Sequence, residues 1–121
     1  MAERAAEVRA AGLDRTLAAL ADPTRRAIVE RLRRRPHRPS EVAEALSMSR
    51  PAMSRHLRVL RRAGLIAQEP LEEDARARLI QLRTEPFSEL RSWVEDVEAM
   101  WGDQLQAFKL HAERSHRGRR R

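Results

Sequence analysis

Apolar residues recur at steps of three and four along most of this chain, a spacing that predicts a largely helical protein. Leu13, Leu17 and Leu20 form the first such run. Asp22-Pro23 follows, and because Asp caps helices and Pro suits the first helical position, a second helix is predicted as far as Arg34. The side chains expected to face inward on this second helix are Ile28, Val29 and Leu32.

Two further helices joined by a tight turn are predicted in the segment SEVAEALSMSRPAMSRHLRVLRRAG, residues 40–64. Ser40 is the expected N-cap of the first, which would bury Val42 and Leu46, and residues 47–49 would form the turn. Gly64 would end the second helix, as glycine commonly does at this position. This second helix has one apolar stripe, formed by Met53, Leu57 and Leu60.

A short β-hairpin and a long helix are predicted to follow. Residues 65–69 and 78–82 are candidate strands, which together with the loop between them would form a β-wing. Pro86 opens the longest helix, predicted over residues 87–111 and about six turns long, with apolar positions three and four residues apart. The predicted fold class is mainly α with a small β-wing: a winged helix-turn-helix with a long C-terminal helix for dimerisation.

We expect three parts along the chain: an N-terminal extension that could prolong the first helix (residues 1–12), the winged domain (13–111), and a basic disordered tail (112–121). The net charge of +7 comes mostly from the last eight residues, RSHRGRRR, which hold five arginines and either attract phosphate nonspecifically or form an inert solvated end. The rest of the chain is nearly balanced in charge. The position of an arginine is therefore better evidence for phosphate binding than the number of arginines.

Composition narrows the classes of function. The 121 residues suit one domain, and the absence of cysteine excludes disulfides and thiolate metal sites. No apolar run approaches the ~18 residues of a membrane-spanning helix, and charges occupy the N-terminus where a signal peptide would be apolar, so we expect a cytoplasmic protein. The sequence has no nucleophile–base pair and no Gly-rich phosphate loop, which argues against an enzyme.

Basic and hydroxyl side chains occupy the faces that the apolar stripe of residues 53–60 leaves free, a pattern that suits entry into a DNA major groove. The DNA-binding candidates, on this helix and then on the wing, are Ser49, Arg50, Ser54, Arg55, His56, Arg58, Arg76 and Arg78. Arg50 and Ser54 can reach base edges, while Arg55 and Arg58 suit phosphates. For His56 the sequence leaves two roles open, a phosphate contact and a packing role.

The alternative to a DNA-reading helix is a helix face that is only solvated, or a winged-helix module that binds protein. Such a module would present an apolar or acidic face, and this face is basic.

The apolar stripe of the long helix is longer than a small domain can cover, so we expect a homodimer interface. The alternatives are an intramolecular core and a ligand pocket between the helices of two subunits. The predicted interface residues are Leu13, Leu17, Val94, Val97, Trp101, Leu105 and Phe108.

The order of these elements resembles the ArsR-type family of bacterial winged-helix repressors. Three segments carry the resemblance, LAALADPTRRAIVERL (17–32), SEVAEALSMSRPAMSRHLRVLRRAGLI (40–66) and RLIQLR (78–83), within residues 13–111. The resemblance implies a homodimer that binds double-stranded DNA and represses promoters, often including its own. A pseudo-palindromic operator would match the dimer axis. Whether a small-molecule inducer exists is left open.

Two features depart from the family pattern. Metal-sensing members carry Cys-x-Cys where this chain has Arg38 and Ser40, and the Asp and His pattern of the family's zinc site on the last helix is not matched, so no metal ligand and no cofactor is predicted. Family wings are often basic, whereas residues 72–74 are Glu-Glu-Asp here. Phosphate would repel this tip, which leaves only Arg76 and Arg78 to reach a DNA backbone.

Overall fold

The computed structural model describes residues 1–71 and 74–119, with the backbone alone at 74–77 and 117–119. The elements within these residues are α1 (Ala2–Leu20), α2 (Pro23–Leu32), α3 (Pro39–Ala45), α4 (Arg50–Arg62), β1 (Ile66–Leu71), β2 (Asp74–Leu82) and α5 (Thr84–Arg119). They form two compact units, Met1–Ser88 and Glu89–Arg121. The mainly helical fold with a small two-stranded wing confirms the predicted winged helix-turn-helix class.

The first helix begins at Ala2, so the N-terminal extension prolongs it, which was one of the outcomes left open by an apolar pattern that starts at Leu13. The added residues are rich in Ala, Glu and Arg, which have high helix propensity. Nearly all of them are exposed, so they carry no apolar periodicity that a sequence pattern could reveal. Helix propensity therefore stabilises the N-terminal part of α1. Packing stabilises its C-terminal part, where Thr16 and Ala19 are buried.

The second helix starts as the Asp-Pro pair predicted. The Asp22 carboxylate accepts hydrogen bonds from the backbone N–H groups of Thr24 (2.8 Å) and Arg25 (3.1 Å), and Pro23 occupies the first helical turn. The helix ends at Leu32, two residues before the predicted Arg34.

The start of α3 corrects one prediction, because Arg38 and not Ser40 is its N-cap. A residue that precedes proline is driven to an extended conformation, and Arg38 has φ −74° and ψ 145°. Pro39 then takes the first helical position, which needs no N–H donor. The Glu41 carboxylate accepts a hydrogen bond from the Arg38 backbone N–H at 3.4 Å.

The turn between α3 and α4 contains Ser47 in the left-handed region, at φ 53°. Ser49 caps α4, and its Oγ accepts a hydrogen bond from the Ala52 N–H at 3.3 Å. Gly64 follows the end of α4 with φ 77°, a conformation that L side chains rarely adopt, which confirms the predicted helix end. The chain thus fixes both ends of α4 locally.

The two strands pair antiparallel, from Ile66 opposite Leu82 to Pro70 opposite Arg78, with an irregularity between Pro70 and Leu71. The connector before α3 adds a bridge to this sheet that the sequence did not indicate. His37 and Ile80 exchange two backbone hydrogen bonds, of 3.1 and 2.8 Å. The bridge ties the entry of α3 to the base of the wing.

The core of the first unit gathers side chains from every element between α1 and β2. Its buried members are Ala19, Ile28, Leu32, Val42, Ala43, Met53, Leu57, Leu60, Leu65, Ile66 and Ile80. Val29, Leu46 and Phe87 are partly buried and pack against it. Buried Ile28, Leu32 and Val42, and the α4 stripe, confirm the inward faces predicted from spacing.

The last helix is longer than predicted at both ends, from Thr84 to Arg119. Residues 112–119, expected to be disordered, are helical. The residues around 109–114 are mostly Lys, Leu, Ala, Glu and Arg, which are good helix formers, and Lys109 stands four residues before Glu113. No helix in the described part of the chain has the length and apolarity needed to cross a membrane.

Candidate nucleic-acid interface

Helix α4 packs against the core through one side only. Met53, Leu57 and Leu60 are buried, and α4 contacts α2, α3 and β1 through this side. Core packing therefore fixes the rotation of α4 about its own axis, and with it the direction in which every other side chain of the helix points.

The side of α4 next to this buried stripe presents an exposed basic strip. Arg50, Ser54 and Arg58 lie at successive turns and are all exposed. At about 100° per residue these three span only ~80° of the helix circumference. Arg55 is also exposed, further around the helix. The structure therefore brings together four of the predicted DNA-binding side chains on the solvent side of one rigid helix.

Sequence reasoning missed Arg61, which extends this strip by one more turn. Arg61 is exposed and stands seven residues after Ser54, so the two lie on the same side of α4. A basic side chain in a last helical turn also interacts favourably with the helix dipole, so Arg61 has a structural role of its own. The spacing from Ser54 was the signal available in the sequence.

Ser49 has a defined structural task at the start of α4. Its Oγ accepts the Ala52 N–H, which occupies one lone pair, and the side chain is otherwise exposed. The hydroxyl hydrogen is a donor that the cap does not use. Ser49 thus positions the first turn of α4, beside Arg50.

His56 lies on the side of α4 that faces α2. Its ring is half-buried, and its Nδ1 is 3.4 Å from Arg25 Nη1. The Arg25 guanidinium also donates to the carbonyl oxygens of Ala19 (2.6 Å) and Ala18 (3.3 Å) at the end of α1. These contacts favour the packing role among the two that the sequence left open for His56.

Asp22 belongs to the same network. The hydrogen bond from the Arg25 backbone N–H is the main influence that holds the pKa of Asp22 below its ordinary value; partial desolvation acts in the opposite direction. The Thr24 backbone N–H and the charges of Arg25 and His56 lower this pKa further. The carboxylate form of Asp22 is therefore favoured where α1, α2 and α4 meet.

Of the two wing arginines predicted to bind DNA, one has a described side chain. Arg78 on β2 is exposed. The side chain of Arg76 and residues 72 and 73 of the acidic tip lie outside the described part of the structure, so their predicted roles stay predictions.

Arg38, Ser40, Arg50, Ser54 and Arg78 line one surface cavity, although they come from α3, α4 and β2. From the sequence alone, Arg38 and Ser40 were notable only as the positions at which the family's metal-binding cysteines are absent. Their approach to the strip depends on tertiary packing of α3 against α4 and β2, which spacing along the chain does not encode.

Most of the predicted dimer residues are exposed. On α5, Val94, Val97, Trp101, Leu105 and Phe108 are exposed, and so are Trp93, Met100 and Leu110. On α1, Leu17 is exposed and Leu13 is half-buried. A run of large apolar side chains open to water over several helical turns is typical of a surface that meets another molecule.

The described residues contain no group of three or more His, Asp or Glu side chains placed to hold a metal ion.

Comparisons with known proteins agree with this geometry. A family model described as a helix-turn-helix domain matches residues 20–69. The HTH-type transcriptional regulator Rv2034 of Mycobacterium tuberculosis is 41% identical over 95 residues, which cover 78% of this chain and 83% of that protein.

Two solved structures extend the comparison to the fold. The ArsR family transcriptional regulator RHA00566 shares 33% identity with a TM-score of 0.68, over 75% of this chain and 97% of that one. An ArsR-like transcriptional regulator from Rhodococcus sp. RHA1 shares 29% identity with a TM-score of 0.71, over 82% and 91% of the two chains.

Proposed function

Because the chain belongs to the ArsR-type family of winged helix-turn-helix transcriptional regulators, which bind DNA and are not enzymes, we propose that it is a homodimeric repressor of its own or neighbouring promoters. The observation that carries this proposal is the exposed strip of α4, held in a fixed orientation by the buried stripe on the adjoining side of the same helix. Repression follows from occupation of promoter DNA.

In this proposal the N-terminal half of α4 reads bases. The helix has 13 residues and is ~20 Å long, and the major groove admits an α-helix. Arg50 in the first turn bonds guanine bidentately, and Ser54 one turn later donates to or accepts from a base edge. Ser49 supports this end of the helix through its cap.

The remaining arginines hold the phosphate backbone. Arg55 and Arg58 lie further along the exposed side of α4 and fix the register of the helix in the groove. Arg78, and Arg76 by its place in the sequence, serve the same purpose from the wing. His56 supports α4 through Arg25, where its half-buried ring already has a partner.

The apolar stripe of α5 is the proposed dimer interface. Val94, Val97, Trp101, Leu105 and Phe108 pack against the partner chain, joined by Leu13 and Leu17 of α1. A two-fold axis through this interface places two α4 helices in successive major grooves, about 34–36 Å apart, which requires a pseudo-palindromic operator.

Binding to the protein's own upstream DNA tests the proposal. We expect Arg50→Ala to cost about 1–3 kcal/mol on the operator and to relax base preference at one position. Arg58→Ala should weaken all sequences alike and make the salt dependence shallower by about one unit. Fluorescence anisotropy on operator and scrambled duplexes at several salt concentrations measures both.

Arg33→Ala is the matched control, since Arg33 is exposed, follows the end of α2, and pairs with Glu30 on the same surface. If Arg50→Ala and Arg58→Ala behave like Arg33→Ala, the assignment of α4 fails. A chain that binds neither operator nor scrambled DNA would instead support the protein-interaction module.

A further inference from the structure

A surface cavity of about 420 Å³ lies beside the basic strip of α4. We propose that it binds a small organic anion, with the charged group on an arginine rim and an apolar body on the cavity floor, and that this ligand competes with DNA. The binding site itself stands on the cavity, while the competition rests on the proposed function.

Three elements supply the rim. Arg38 comes from the N-cap of α3, Arg50 from the first turn of α4 and Arg78 from β2, and all three are exposed. Among the described residues, no carboxylate lies within ion-pair distance of Arg38 or Arg50. Guanidinium groups bind carboxylate and phosphate groups through paired N–H donors. The rim therefore favours a negatively charged group.

The floor is apolar. Ala43, Met53 and Leu57 line the cavity and are buried in the core. A phosphodiester of DNA or a free phosphate would satisfy the arginines and leave this apolar floor without a partner. A volume within the usual range of ligand pockets, an apolar lining and a few convergent polar groups together fit an anion that carries a hydrocarbon or aromatic body.

Competition with DNA follows from shared residues. Arg50 and Ser54 line the cavity and are also the proposed base-reading residues. A ligand that engages them occupies the surface that the major groove needs, so ligand and DNA exclude each other. Because each chain of the proposed dimer has one such cavity, the apparent dissociation constant for operator DNA should rise without a plateau, and as the square of the ligand concentration at saturation if both sites must be free.

Methyl NMR on the full chain tests the site with phenyl phosphate as the probe. The chain has four methionines, and Met53 forms part of the floor while Met1 and Met100 are exposed elsewhere. With carbon-13 methyl labels, phenyl phosphate should shift the Met53 signal saturably and leave Met1 and Met100 in place. Inorganic phosphate tests the charge alone and phenol the ring alone; both should bind more weakly.

Arg38→Gln is the decisive variant, because Arg38 lines the cavity and is not among the proposed DNA-reading residues. Loss of one charge-assisted contact should weaken phenyl phosphate about tenfold or more. Arg34→Gln, an exposed arginine four residues earlier, should change nothing. The site is disproved if Met53 does not respond, if phosphate or phenol binds as tightly as phenyl phosphate, or if both variants behave alike.

Operator titrations of the wild type at increasing phenyl phosphate test the competition. A rise in the apparent dissociation constant without a plateau supports it, and a plateau or no change disproves it. Because the NMR arm uses no DNA, and the operator is first titrated without ligand, failure of the site is distinguishable from failure of the DNA-binding proposal.

Discussion

Helices α4 and α5 have the same apolar periodicity and opposite surroundings. On α4, Leu60 is 0% exposed and Met53 2%, whereas on α5 Trp101 is 61% exposed and Phe108 71%. Both stripes repeat at steps of three and four. The difference teaches that periodicity reveals which side of a helix is apolar, while the rest of the structure determines whether this chain or another molecule covers it.

This difference assigns separate tasks to the two helices. The buried stripe of α4 orients the basic strip. Burial of this stripe stabilises the folded single chain. In the proposed dimer the longer, exposed stripe of α5 is stabilised only when two chains meet, so its energetics depend on protein concentration. The predictions below test this division.

The largest effect is expected from Val97→Asp on α5. In the proposed dimer this change buries an unpaired carboxylate, which costs about 3–5 kcal/mol of association free energy. Wild-type protein should sediment at about twice the 14.0 kDa chain mass and the variant toward monomer, with a collapse of operator affinity. Gln106→Asp places the same charge away from the stripe and should have little effect. A wild-type monomer that binds operator tightly would refute the dimer.

A matched leucine pair measures the comparison directly. Leu60→Ala removes a side chain that is fully buried and should lower the free energy of unfolding by about 2–5 kcal/mol at any protein concentration. Leu105→Ala removes one that is 51% exposed, so in dilute monomer the loss should stay below ~0.5 kcal/mol. At high concentration Leu105→Ala should weaken self-association. Urea unfolding at two protein concentrations measures both effects. Equal losses of unfolding free energy for the two variants in dilute solution would contradict the separate roles of the α4 and α5 stripes.

The two left-handed residues that flank α4 should respond in opposite directions. Gly64→Ala should cost about 1–2 kcal/mol from backbone strain, because its φ is 77° while a Cβ would have ordinary space, 4.0 Å from Pro86 Cγ. Ser47→Gly should be neutral or stabilising by up to ~1 kcal/mol, since Ser47 already bears the strain at φ 53°. Thermal unfolding of both variants tests this, and a loss at Ser47→Gly would show that its side chain is needed.

The smallest effect is a pH dependence at Asp22, in the network behind α4. Because its pKa is lowered in the fold, the carboxylate stabilises the protein above the ordinary aspartate value of ~3.9, and this contribution is lost as the pH falls through the folded-state pKa. The stability advantage of wild type over Asp22→Asn should therefore shrink from about pH 6 to about pH 3. Urea titrations at each pH measure it, with Asp103→Asn on α5 as control. A difference that is constant with pH would contradict the linkage.

Much of α4 was determined by the sequence alone. The spacing of Met53, Leu57 and Leu60 identified its buried side, the turn predicted at residues 47–49 its start, and Gly64 its end. The same local rules identified Asp22 as a cap and predicted the wing and the long helix. Such features depend on residues within one or two turns of each other, so their physical causes lie next to each other in the sequence.

Contacts between distant residues were determined only by the tertiary structure. His56 meets Arg25 from 31 positions away, and His37 pairs with Ile80 across two helices and a strand. Arg38 approaches Arg50 because α3 packs on α4, and that approach forms the rim of the cavity. The apolar pattern also did not reveal where α1 begins or where α5 ends. These exposed helical ends are stabilised by helix propensity and have no apolar stripe that a sequence pattern could detect. Periodicity along the chain records which side of a helix avoids water, and only the packed fold determines which distant side chain meets it there.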